Sequence, residues 1–269
     1  MLCLLLPGAA EAAERVLDFH SEIRVAADGV ITVTEVIVVQ AEGQRLRRGI
    51  QRDFPADYHD RNGARVIVPL EVLRVSRNGE LERHTLEQAE NGVRLVTGDR
   101  DSPLRYGRHT YEIRYRTARQ VSFHGAHDEL YWNVNGNDWI LPLDNISAEV
   151  VLPKAVPAAS LKAEAFTGPV GAQGRSYQAF TGTGAAAFRS TRPFQPREGM
   201  TISLTFPKGV VATPSLLQRA GWFLQANLAL VAACASVPGL VLLLWMRRSR
   251  VRRNRTADAS ARGGGGSGG

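Results

Sequence analysis

The sequence predicts a mainly β fold, an extracytoplasmic antiparallel β-sandwich followed by a single transmembrane α-helix. Three observations predict it. Between about residues 14 and 209, β-branched and aromatic residues alternate with polar ones at period two, and Gly, Pro, Asn and Asp separate the runs. Segment 220–246, AGWFLQANLALVAACASVPGLVLLLWM, carries no charged residue and is followed at once by arginines. The N-terminus, MLCLLLPGAAEAAER, joins an apolar patch to small residues.

Residues 1–13 read as the end of a secretory signal. Leu2 to Leu6 are apolar, and Gly8-Ala9-Ala10 or Ala10-Glu11-Ala12 supplies a small-x-small cleavage pattern. A basic n-region and most of the apolar region are missing, so the true start is expected upstream of Met1. In EIRVAADGVITVTEVIVVQ, Asp28-Gly29 separates two β-branched runs, a hairpin signal. Ile31, Val33, Ile37 and Val39 share one face with Glu35, while Val36 and Val38 lie on the other beside Thr32 and Thr34. A strand apolar on both faces is expected to be central.

Further alternation in VIVPLEVLRVSRNGE ends at an Asn78-Gly79 turn, and Tyr111, Ile113 and Tyr115 alternate with Thr110, Glu112 and Arg114. Leu130, Trp132 and Val134 share a face. A turn at Asn135-Gly136-Asn137-Asp138 is then expected to return the chain along a strand carrying Trp139, Leu141 and Leu143. The tryptophans are thus expected as core on an antiparallel pair. Pro153 to Gly174 is low in complexity and reads as an excursion of a single extended domain or as a connection between two lobes. AAAFRSTRPF and MTISLTFP are short strands, and 210–219 is a linker.

Leu228 to Met246 alone would span roughly 28 Å as a helix, close to the bilayer core. Trp222 and Trp245 bracket the segment, and Pro238-Gly239 predicts a kink. Arg247, Arg248, Arg250, Arg252, Arg253 and Arg255 act as topology determinants, keeping the glycine-rich tail 247–269 in the cytoplasm. The expectation is a single-pass protein of the bacterial cytoplasmic (inner) membrane, its N-terminal domain outside and residues 220–246 in contact with lipid.

Composition narrows the function. Residues 247–262 carry seven arginines and one aspartate, which leaves 26 basic and 25 acidic residues before them. The folded part is therefore near neutral and lacks the basic stripe of a nucleic-acid-binding domain, so no nucleic acid is expected. Cys3 and Cys234 sit in the two apolar ends, so the central domain has neither a disulfide nor a thiol nucleophile. No GxSxG, P-loop, GxGxxG or HExxH pattern is present, and no cofactor or catalytic residue is predicted.

Two clusters remain as candidate sites. His124, His127 and Asp128 lie within five residues and offer metal-ligating atoms, although the segment runs into a strand rather than a helix, and a solvated turn is the alternative reading. The polar side of the LYWNVNGNDW stretch, Tyr131, Asn133 and Asn135, with Asn137 and Asp138 in the turn, is the candidate binding surface. A sugar-stacking platform of Tyr131, Trp132 and Trp139 is the other reading of that stretch.

RGIQRDFP (Arg48 to Pro55) and LYWNVNGNDW (Leu130 to Trp139), with DGVITVTE and TGDRDSPLRYGRHTYEIRY, resemble the N-terminal extracytoplasmic domain of the DUF2207 family of predicted bacterial membrane proteins over roughly residues 14–207. The resemblance implies a signal sequence, an outward β-rich domain and a membrane anchor. It transfers no activity and no catalytic residue. Relatives commonly continue through further spans, so the resemblance implies a short variant or a fragment. The function expected is a non-enzymatic binding or assembly module of the envelope, its partner an unidentified envelope protein or glycan. A metal-assisted envelope hydrolase and a cell-wall glycan binder are the alternatives.

Overall fold

The computed structural model describes residues 13–59, 65–99, 101–228 and 245–246. In chain order the strands are β1 (Arg15–Val25), β2 (Ile31–Ala41), β3 (Gln51–Pro55), β4 (Asp57–His59), β5 (Arg65–Ile67), β6 (Leu70–Arg77), β7 (Glu80–Leu81), β8 (His84–Ala89) and β9 (Gly92–Thr97). They continue with β10 (Gly107–Thr117), β11 (Val121–Phe123), β12 (His127–Asn133), β13 (Ile146–Val151), β14 (Lys162–Gly168), β15 (Tyr177–Gly182), β16 (Ala185–Ser190) and β17 (Gly199–Pro207). One helix, α1 (Leu216–Ala226), follows.

An eight-stranded sheet has the order β15-β16-β13-β1-β2-β10-β6-β7, a second sheet β11-β12-β17-β14, and a third β3-β9-β8. The alternation read from the sequence is present: Ile31, Val33, Ile37 and Val39 are fully buried, and β2 lies inside the large sheet between β1 and β10. Gly29, at φ +83°, closes the β1–β2 hairpin where a side chain would be strained. Buried residues of the large sheet (Phe19, Ile23, Ile37, Ile113, Val150) and of the second sheet (Leu130, Trp132, Ile202, Leu204) belong to one hydrophobic core, as a sandwich requires.

One of the described strand pairs is parallel. β13 runs parallel to β1, with Phe19 opposite Ile146 and Ile23 opposite Val150. The expected antiparallel β-sandwich is thus mostly antiparallel: between β1 and β13 the chain builds the third sheet and half of the second, a crossover long enough to bring β13 back in the direction of β1.

Compact folding divides the chain in two, one unit holding residues 1–59 and 66–214 and the other 60–65 and 215–269. In the second, Ser215 caps α1: its hydroxyl accepts from the Gln218 N–H at 3.2 Å, and the Gln218 side chain accepts from the Ser215 N–H at 2.8 Å. The helix thus begins inside the stretch expected as a linker. Among the described residues no helix is long and apolar enough to cross a membrane. Most of the expected span 220–246, all of 247–269 with its arginines, and residues 1–12 of the signal lie outside the described residues.

The first unit carries a built-in acid sensitivity. The Glu14 carboxylate accepts backbone N–H groups of Glu42, Gln44, Arg45 and Leu46 at 3.0, 2.9, 2.6 and 3.2 Å. Partial burial is the largest single influence and raises its pKa, but the four N–H groups together bring it below the ordinary value. Glu198 is lowered by its hydrogen bonds from Arg192 at 2.7 and 3.0 Å, against partial burial and with the Gln195 N–H. Carboxyl groups with lowered folded pKa add stability above their unfolded pKa, and that stability is lost as pH falls through the folded value. Denaturant midpoints measured from pH 7 down to pH 3 are therefore expected to fall on the acid side. Glu14→Gln should shallow that fall and cost on the order of 1 kcal/mol at pH 7 after solvent screening.

Candidate functional site

The site begins with a charge on an apolar face. Alternation along β2 turns Glu35 inward, opposite Ser21 and Ile113, where it is fully buried. A carboxylate there requires partners. Arg52 supplies them from β3, where it alternates inward with Phe54. Its Nε and Nη2 donate to the two Glu35 oxygens at 2.9 Å each, Nη2 also to the Val134 carbonyl at 3.1 Å, and Nη1 to the Asp53 carbonyl at 2.8 Å. The Tyr115 hydroxyl from β10 donates to Glu35 Oε1 at 2.9 Å. The guanidinium lies 5.6 Å from the Phe19 ring and 5.0 Å from the Phe54 ring. Burial works against the charge on Arg52, but the adjoining Glu35 outweighs it and raises the pKa above its ordinary value. Burial, then the Glu35 charge, lifts Tyr115 well above its ordinary value, so its proton stays on the phenol.

Arg52 joins the two motif segments of the sequence: it belongs to RGIQRDFP and grips the backbone of LYWNVNGNDW at Val134. Gly136, at φ +77°, permits the approach, since a Cβ there would stand 2.9 Å from Arg52 Nη1. Asn133 Oδ1 accepts the Gly136 N–H at 3.0 Å, and Asn133 Nδ2 donates to Asn137 Oδ1 at 3.2 Å. Asn135 is fully buried, its amide donating to the Gly136 and Glu198 carbonyls at 2.8 and 3.2 Å and its oxygen accepting the Met200 N–H at 2.8 Å. Its bonds are those of a turn anchor rather than of an open binding face.

The expected return strand over Trp139 to Leu143 does not form. β12 pairs with β11 and β17, and after the turn the chain runs irregularly, with Leu143 making isolated bridges to Val16 and Phe194. Asn135 ties the turn to the Met200 backbone of β17, and Pro142 withholds a ladder donor. Trp139 therefore does not oppose Trp132 on a strand pair. It packs edge-on against Phe19 of β1 at 6.1 Å and donates its Nε1 hydrogen to the Asn135 carbonyl at 2.8 Å.

Three cavities of about 250 Å³ or more meet at this turn among the described residues. One of about 250 Å³ is floored by Phe54, Val68, Leu70 and Tyr115 and bordered by Tyr131, Trp132 and Asn133. A second of about 410 Å³ lies between Tyr131, Asn133 and Asn137 and the segment Phe166 to Gln173. The third, about 300 Å³, is lined by Asn133, Asn137 and Asp138 together with Arg52, Asp53 and Arg94. Arg94 holds Asp53 through two hydrogen bonds of 2.6 Å, which raise its own pKa. Tyr131 is 54% exposed, its ring 6.5 Å from that of Phe166. Of the five residues predicted as a binding surface, Tyr131, Asn133, Asn137 and Asp138 border these cavities from the open side.

The second predicted cluster is only partly brought together. The rings of His124 and His127 lie 4.9 Å apart, and His124 Nε2 is 3.2 Å from Glu129 Oε2. Strand alternation turns Asp128 to the opposite, buried face, where Lys208 Nζ donates to it at 2.6 Å. Among the described residues no group of three His, Cys, Asp or Glu is placed to hold a metal ion. Glu35, Arg52 and Tyr115 were not singled out from the sequence, although one signal was legible: a glutamate in phase with four buried aliphatic residues.

Residues 15–206 match the family described as predicted membrane protein (DUF2207), N-terminal domain. The uncharacterized protein YciQ of Escherichia coli (strain K12) is 25% identical over 236 residues, covering 86% of this chain and 37% of that protein. The chain thus spans little more than a third of the relative's length. Among solved structures, native yeast LTA4 hydrolase aligns at 13% identity and a TM-score of 0.44, over 72% of this chain and 29% of that one. The M1 zinc metallopeptidase from Deinococcus radiodurans aligns at 12% and 0.39, over 71% and 42%. At such scores neither carries weight for fold or activity.

Proposed function

We propose, from the premise that the chain belongs to the DUF2207 family of predicted membrane proteins, that it is a non-enzymatic binding module of the bacterial envelope. In this reading residues 220–246 cross the inner membrane, the β domain lies outside and the arginine-rich end is cytoplasmic. The observation that carries the binding role is the meeting of three cavities at one turn, with an apolar floor, an amide-rich rim and charged Asp53, Arg94 and Asp138 on one side. Such a surface fits a ligand with both apolar and hydrogen-bonding groups, an envelope protein segment or a glycan. The buried Arg52–Glu35 pair is its scaffold, since Nε, Nη1 and Nη2 of Arg52 all donate within the fold. The metal-assisted alternative has weaker support, because Asp128 is engaged by Lys208 away from the histidines.

A photoreactive residue placed at Tyr131 or Asn137 in the full chain, in growing cells, is expected to yield a discrete adduct that is absent when the probe stands at exposed Phe180. Probes at 131 and 137 that give no adduct, or the same adducts as at 180, would overturn the assignment of this surface.

A further inference from the structure

The outer face of the large sheet carries a charge pattern the binding site does not use. Strand β2 presents only uncharged side chains there, Thr32, Thr34, Val36 and Val38. On one side, β1 and β13 present Asp18, Glu22 and Glu149 against Arg24 and Arg15, a net of −1, with Arg15 already paired to Asp144 at 3.2 Å. On the other, β10 and β6 present Arg108, Arg114, Arg116 and Arg74 against Glu112 and Glu71, a net of +2. Further out, beyond β13, Arg189 of β16 is held by Gln178 at 2.9 Å.

One row across the sheet states the pattern most sharply. Glu149 lies directly opposite Glu22, Glu22 opposite Thr34, Thr34 opposite Arg114, and Arg114 opposite Arg74. Two like-charge pairs, each unfavourable on its own, therefore stand at equal distances either side of β2. At a strand spacing of about 4.8 Å the row spans roughly 19 Å. Glu149, Arg114 and Arg74 are exposed and make no ion pair among the described residues, and Glu22 is paired with Arg24.

We infer that this face binds a second copy of the chain, in an isologous dimer whose two-fold axis lies in the contact plane close to parallel with β2. Rotation about that axis exchanges the two halves of the face, so Glu22 and Glu149 of one copy meet Arg114 and Arg74 of the other, twice over by symmetry. An axis perpendicular to the strands would instead lay acidic on acidic and basic on basic, so charge selects the orientation. The uncharged β-branched strip of β2 then meets its own counterpart at the centre, a drier core inside a charged rim. The binding site is not involved: none of the residues in this row lines the three cavities.

The test uses the full chain in detergent, its mass measured by sedimentation across a concentration series. The unaltered chain is expected to dimerise, more weakly at high salt. Glu22→Arg with Glu149→Arg makes the row wholly basic, and Arg74→Glu with Arg114→Glu makes it wholly acidic. Each pair should raise the dimer dissociation constant at least about tenfold. Mixing the two altered chains should produce a heterodimer, and combining all four substitutions in one chain should restore the homodimer, which shows that neither pair acts by unfolding. A monomeric unaltered chain, a dimer indifferent to either charge reversal, or altered chains that fail to pair when mixed would each overturn the inference.

Discussion

Replacing Arg52 with methionine is expected to destabilise the β domain by about 3–5 kcal/mol, one of the largest effects of any single substitution in the chain. The cause is not the loss of an attraction alone. Glu35 would remain fully buried with the Tyr115 hydroxyl as its remaining donor among the described residues, and a buried carboxylate stripped of its counter-ion must be protonated or exposed. Glu35→Leu leaves the mirror-image problem, a buried guanidinium near the Phe19 and Phe54 rings without its carboxylate partner. The double variant Arg52→Met, Glu35→Leu should recover much of the loss, because an ion pair exchanged for apolar groups of similar volume is often close to neutral. Recovery should be incomplete, since Arg52 also satisfies the Val134 and Asp53 carbonyls. Urea unfolding of the four members of this cycle checks the expectation. Additive losses would mean that the two residues do not act as a pair.

The same pair marks where sequence reading stopped. Period-two alternation is a local property, so the inward set of β2, the alternation of β10 and the short strands β16 and β17 were legible from neighbouring residues alone. That Glu35 faced the core was equally local. Its partner was not: Arg52 stands 17 positions away on a strand of another sheet, and no spacing rule connects them. The parallel pairing of β1 with β13 is non-local in the same way, joining residues some 127 positions apart. The low-complexity stretch after Pro153 hid strand β14 because its alanines and glycines carry little hydrophobic contrast. Of the candidate surface, exposed polar residues beside a turn were legible, whereas the burial of Asn135 follows from bonds to Met200 and Glu198 that only the folded chain brings near.

Trp139 supplies the second large expected effect and separates two tryptophans that look alike in the sequence. Trp139→Ala should cost about 3–5 kcal/mol, because a large buried ring would leave a cavity against Phe19 beneath the irregular segment after the turn, where no ladder of strand hydrogen bonds holds the chain. Phenylalanine distinguishes packing from hydrogen bonding. Both Trp132 and Trp139 are 8% exposed, so exchanging either for Phe removes similar buried area. Trp139 also donates to the Asn135 carbonyl at 2.8 Å, while the buried Trp132 Nε1 hydrogen has no acceptor among the described residues. Trp139→Phe thus strands a carbonyl, whereas Trp132→Phe removes an unsatisfied donor whose burial is itself unfavourable. Trp139→Phe is therefore expected to be the more destabilising by about 1–3 kcal/mol in urea unfolding. Equal losses would mean that the indole hydrogen bond to Asn135 contributes nothing and that the turn is held by Asn135 and Arg52 alone.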